Sequence, residues 1–297
     1  MRFEIAQVSL LGNRETNQDR IGVAEDSNGS LLVLGDGLGG RPGGALAAKL
    51  LVKTLLQAME ETDIPIVEPE AFLKQNIMRA HRVIQIVGQQ QDPPVTPGTT
   101  AVACLIQNGR AWWSHVGDSR LYLFRHGVAL YRTEDDSYVE KLYKAGHISQ
   151  QKRSDHPMRN YVTQCLGLMD KRPKIPVNNE VLLQEGDIIL LCSDGFWEPL
   201  DDAQIAAGLA KGKLSDCLSE LAERAEKNKY PHADNTSVLA LKVISLQQLK
   251  NEPASKVAKS KPKTSKEPVL EIKQDNVAKA IKDINRVLEE YKHEMDD

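Results

Sequence analysis

Aromatic residues are scarce in this chain, at 5% of 297 residues. So thin a supply argues against a stacking platform for single-stranded nucleic acid. Neither sign of charge dominates, since 38 Lys and Arg stand against 41 Asp and Glu, a formal net charge of −3. That balance argues against nucleic acid or an acidic membrane as the main partner. Cysteine is limited to Cys104, Cys165, Cys192 and Cys217, with no Cys-x-x-Cys pair. They read as reduced, packed thiols of a cytoplasmic protein. No apolar run approaches the roughly 20 residues of a spanning helix. The opening MRFEIAQVSLLGNRETNQDR alternates and carries charge early, unlike a signal peptide. A soluble, intracellular protein is expected.

What is present is ordinary globular material, 41% apolar and 27% charged. Composition shifts after Ser245, where LKNEPASKVAKSKPKTSKEP is rich in Lys, Ser and Pro and reads as a linker. Three segments are therefore expected: a catalytic or binding domain over 1–246, a linker over 247–268 and an amphipathic helix over 269–297. In that last segment Val277, Ile281, Ile284, Leu288, Tyr291 and Met295 recur at alternating steps of four and three, a coiled-coil spacing suited to docking or self-association. A helix folded back to add core is the competing reading. There is no internal repeat.

Within 1–246, RIGVAEDSNGSLLVLGDG reads as a hairpin around Asn28-Gly29. TTAVACLIQNGRAWWSHVGDSRLYLFRHGVALYRT reads as a longer meander turning at Asn108-Gly109 and His126-Gly127. ALAAKLLVKTLLQAME and PEAFLKQNIMRAHRVIQIVGQQ carry apolar residues at helical spacing, and LSDCLSELAERAEKN adds a third helix. DIILLCSDG and NTSVLALKVIS add strands. Blocks of antiparallel strands with paired helices predict layered packing, sheet inside and helices outside.

LLVLGDGLGGRPGGALAAKL poses the functional question. A Gly-rich turn between strand and helix suits a phosphate cradle, but no Lys-Ser/Thr closes it as a P-loop requires. The dinucleotide fingerprint does not begin with a carboxylate. The other reading takes Asp36 as the functional group, with glycines leaving room for a hard cation and its waters. An Asp-Gly pair alone is more often a surface turn. The pattern, however, repeats: LLVLGDG, WSHVGDS and ILLCSDG each end a strand in Asp36, Asp118 and Asp194. Asp234 lies just before the last strand, and Asp19 just before the strand from Ile21. Gathered at one sheet edge, five carboxylates would raise one another's pKa or require cations. All-oxygen ligation selects Mg²⁺, Mn²⁺ or Ca²⁺ over Zn²⁺. Two such ions can activate water and clamp a phosphoryl group.

GNRETNQDR, VLGDGLGGRPGG, PGTTAVACLI, HVGDSRLYLFR, LLCSDGFWE and DNTSV together resemble, in order and spacing, the motifs of the metal-dependent serine/threonine protein phosphatases of type 2C, in their bacterial form. The resemblance runs from about Ala6 to Val243. It implies an α+β fold, a four-layer α-β-β-α sandwich of two antiparallel sheets, with metals in the cleft between them. It implies Mn²⁺ or Mg²⁺ as cofactor, two core ions and a third. Asp36 matches the bridging ligand, the Gly37 carbonyl a ligand of the second ion, and Asp194 and Asp234 ligands of the first. Asp118 matches a ligand of the third ion, Asp19 an acid beside the metal waters, and Arg14 the arginine that holds the phosphate. The implied substrates are phosphoproteins made by a Ser/Thr kinase.

Three positions depart from the family pattern. Leu38 stands where some members carry His, Gln18 where animal members carry a metal-binding Glu, and Asp136 in the histidine's place of the usual Asp-His-Ser. The segment RTEDDSYVEKLYKAGHISQQKRSDHPMRN resembles the variable flap over the site, and His147 and His156 in it read as solvated. The alternative from another class is a phosphoprotein-binding scaffold on the same fold. Retention of every metal aspartate argues for the enzyme.

Overall fold

The computed structural model describes residues 1–246 apart from 27–28, 40–42, 154, 170 and 211. The linker and amphipathic helix expected beyond 246 lie outside the described residues. In chain order the strands are β1 (Arg2–Leu10), β2 (Asp19–Asp26), β3 (Gly29–Asp36), β4 (Ala101–Gln107), β5 (Arg110–Val116), β6 (Arg120–Arg125), β7 (Val128–Arg132), β8 (Val181–Leu182), β9 (Ile188–Cys192) and β10 (Thr236–Ser245). The helices are α1 (Gly44–Glu60), α2 (Pro69–Gln89), α3 (Tyr138–Lys144), α4 (Asp194–Trp197), α5 (Asp202–Leu209) and α6 (Leu214–Lys229). None of the described helices is long and apolar enough to cross a membrane.

Two five-stranded sheets result, in the orders β1-β10-β9-β6-β7 and β2-β3-β4-β5-β8, with every pairing antiparallel. Their facing sides make one core, where Leu32, Leu34, Val102 and Cys104 meet Leu121, Ile189, Leu191 and Leu239. The outer face of the first sheet buries Tyr122, Leu190 and Cys192 against Ile205, Leu218 and Leu221 of α5 and α6. Helices α1 and α2 cover the second sheet, α1 lying on β2 and β3. Central strands are thus buried on both faces, which is why LLVL and IILLC are continuous apolar runs rather than alternations. The expected four layers are present.

The expected turns close as type I′: Asn108 and Gly109 have φ of 51° and 71°, His126 and Gly127 of 52° and 75°. The first hairpin pairs Asp26 with Gly29, so Gly29 belongs to β3 and its turn residues lie outside the described set. One expectation needs correction. The long meander is not one sheet, because β5 and β6 belong to different sheets and do not pair. Their link, Gly117-Asp118-Ser119, carries the chain from one sheet to the other, and strand periodicity alone cannot show which neighbour a strand will pair with.

Candidate metal centre

Sheet topology brings the five aspartates together. Antiparallel pairing sets Asp19, first in β2, opposite Asp36, last in β3. In the facing sheet Cys192 pairs with Val238, so Asp194 just past β9 and Asp234 just before β10 emerge at a shared end. Asp118 sits on the link between the sheets. Burial, and then the charges of Asp19, Asp194, Asp118 and Asp234, push the Asp36 carboxyl well above the usual carboxylate range. Asp194 is raised likewise, by burial and then by Asp118, Asp234, Asp19 and Glu198. Burial, followed by Asp135, takes Asp118 to about 7. Asp19 rises to about 6, chiefly through burial, with Ser193 pulling the other way.

Short polar side chains hold these carboxylates in place. The Asp36 backbone is clamped by Thr100, whose hydroxyl accepts the Asp36 N–H at 2.9 Å and whose N–H donates to the Asp36 carbonyl at 2.8 Å. Thr99 Oγ1 donates to the same carbonyl at 3.0 Å. The Thr100 hydroxyl also meets Ser119 Oγ at 2.7 Å, joining the Asp36 and Asp118 backbones. Ser193 Oγ donates to Asp19 Oδ2 at 2.7 Å and accepts from the Ser237 N–H. Trp197 Nε1 donates to the Asp118 carbonyl at 2.9 Å. Asn235 binds the loop between β1 and β2 by donating to the Leu11 and Thr16 carbonyls and accepting from the Gln18 N–H.

The donor set suits a hard cation. Asp19 Oδ1 is buried and has no hydrogen-bond partner, and a buried carboxylate oxygen without one is costly. Oxygen is the only donor type in the cluster, so Mg²⁺ or Mn²⁺ fits its chemistry. Among the described residues no three His, Cys, Asp or Glu side chains are closed around one ion position. Asp234 shows why convergence is incomplete. Its Oδ2 accepts from Arg14 Nη2 at 2.7 Å and its Oδ1 from the Asn235 N–H at 2.8 Å. An ion at Asp234 competes with Arg14, but that pair is about half exposed and so weakly held. Arg14 is thus at the rim of the cluster.

No Cβ fits at Gly37, where the Gly44 backbone and the Gln18 carbonyl crowd in. Glycine there is already required by the packing of α1, quite apart from any part its carbonyl plays. Leu38 lies against Gly98 and offers no proton. Asp136 is structural: its carboxylate accepts from the Gly117 N–H and from Gln164 Nε2, tying the sheet-to-sheet link to the flap. His147 is exposed and His156 half-buried. Cys192 is packed in the core and its thiol is pushed up by burial, so it is no nucleophile. Ser193 and Asn235 were missed as positioning residues. The only signal is a short polar residue beside a strand-end Asp, which is too common to decide on.

The Protein phosphatase 2C family model matches residues 7–236. The serine/threonine phosphatase stp of Listeria monocytogenes is 32% identical over 76% of this chain and 90% of its own length. The structure of the S. agalactiae serine/threonine phosphatase superposes with a TM-score of 0.75 at 31% identity, covering 82% of this chain and all of that one. The catalytic domain of serine/threonine protein phosphatase PstP, solved in complex with 2 manganese ions, gives a TM-score of 0.67 at 27% identity over 82% of this chain and 99% of that one. The chain belongs to the protein phosphatase 2C family.

Proposed function

We propose that this protein is a metal-dependent hydrolase of phosphoserine and phosphothreonine in proteins. The observation that carries the reading is the five-aspartate cluster drawn from both sheets, in which Asp19 and Asp118 are buried and Asp19 Oδ1 has no hydrogen-bond partner. Asp36, Asp194 and Asp234, with the Gly37 carbonyl, would hold two Mn²⁺ or Mg²⁺ ions, and Asp118 a third. When bound, the ions supply Lewis acidity, making a water acidic and offsetting phosphoryl charge. Arg14 has a planar fork matched to two phosphate oxygens, and exchanging its exposed pair with Asp234 for a phosphate costs little. Asp19 keeps a carboxylate oxygen available to orient water. Leu38 cannot protonate the leaving oxygen, so that proton comes from elsewhere in the site.

The substrates that follow are phosphoproteins made by a Ser/Thr kinase, in the cytoplasm, where the four buried thiols stay reduced. The amphipathic segment 269–297, beyond its linker, is read as a docking or self-association element. The test is turnover of a phosphothreonine peptide. Activity should vanish in chelator and return with Mn²⁺, and Asp36→Asn or Asp194→Asn should each lower it by orders of magnitude. Equal turnover in chelator and in Mn²⁺ would overturn the reading.

A further inference from the structure

Away from the aspartate cluster, α2 and the chain returning from the flap enclose an open hollow of about 250 Å³ lined by Met78, His81, Arg82, Gln85, Met169, Lys171 and Arg172. Three of these side chains are cationic, in a protein of net charge −3. None of the three is among the ion pairs of the described residues. All three are exposed, whereas Arg120, Arg125 and Arg153, nearer the interior, are paired.

His81 adds a donor to the lining. His81 is 4% exposed, and its Nδ1 accepts from the Gly167 N–H at 3.0 Å. A neutral imidazole that accepts at Nδ1 carries its proton at Nε2, and no described residue accepts from it. Gln85 Nε2 donates to the Leu168 carbonyl at 2.7 Å, so the two walls are tied together at adjacent residues. An Nε2–H that no described residue accepts, in one lining with three cations outside the ion pairs, suits an anion with several acceptor oxygens.

We propose that this hollow is a second anion site, which binds a tetrahedral oxyanion of the phosphate class. The ligand is either free phosphate or a second phosphoryl group on the substrate. Its placement gives it a consequence for catalysis. Leu166, beside Gly167, exchanges backbone hydrogen bonds with Thr99, and Thr99 Oγ1 braces the Asp36 carbonyl. An anion seated on His81 therefore stiffens the strand of contacts that holds Asp36.

The direct test uses the full chain in chelator with inorganic phosphate as the probe, following the His81 ring and the Gly167 amide by NMR. Saturable shifts are expected at both, weakened roughly tenfold or more in Arg82→Gln/Arg172→Gln, since two charge-assisted bonds are lost. This arm needs no turnover, so its failure is separable from failure of the hydrolase reading, on which only the second arm rests. In that arm, KM for a doubly phosphorylated peptide is compared with KM for its singly phosphorylated form. A lower KM in the wild type that disappears in the double variant assigns the site to a substrate phosphate. Phosphate shifts without that discrimination assign it to free phosphate. No shifts and no discrimination, or the same results in the variant, overturn the proposal.

Discussion

Asp118 shows what a single buried carboxylate costs this protein. Its pKa is raised from 3.8 to about 7 by burial and then by Asp135, with Asp136 adding to the effect. Below pH 3.8 the group is protonated whether the chain is folded or not, and burial costs nothing. As pH rises toward 7 the unfolded chain releases the proton that the folded one retains, so stability falls across that window. Asp118→Asn removes the effect and leaves the carbonyl that Trp197 holds. In chelator, the variant should melt several degrees above the wild type at pH 8, with the gap closing toward pH 4. Mn²⁺ should narrow it by offsetting the charge. A gap that widens on acidification would show that the shift has the opposite sign.

At the scale of elements, the crossing from β5 to β6 leads into a chain of paired charges. Just after Asp118, Arg120 is buried, forms a two-pronged pair with buried Asp135 at 2.8 Å for each bond, and lies 3.3 Å over the Trp197 ring. Asp135 also faces Arg153, which pairs with Glu140 of α3. This chain of charges joins β6, α3 and the flap beside Asp118. Breaking one partner of a buried pair typically costs about 3–5 kcal/mol, because the other charge is left uncompensated. Arg120→Met should therefore lower the urea midpoint sharply, and Arg120→Met/Asp135→Leu should recover much of the loss. Equal destabilisation in the single and double variants would mean that packing, rather than charge, makes Arg120 necessary.

For the whole molecule, the sandwich of residues 1–246 forms its three apolar contacts, sheet to sheet and each sheet to its helices, from its own residues. Removal of 247–297 should leave the melting temperature and the hydrolysis of a small aryl phosphate near their full-length values, while changing oligomeric state or partner capture. A truncated protein that unfolds or loses basal turnover would place the tail within the catalytic domain.

Much of this was legible in the chain itself. Helices α1, α2 and α6 follow from apolar spacing, and the turns at Gly109 and Gly127 from their dipeptides, because such signals are local. The same holds for the strand-end contexts of Asp36, Asp118 and Asp194. Local pattern does not say which strands become neighbours. Tertiary structure decided that β5 and β6 part into different sheets, which is what places Asp118 between them. It also decided that Arg14 meets Asp234 across 220 residues and that Ser193 supports Asp19 across 174. The unpaired cations around His81 come likewise from segments far apart in sequence. Secondary structure depends on neighbours along the chain, whereas a charge cluster depends on which sheet ends the core brings side by side.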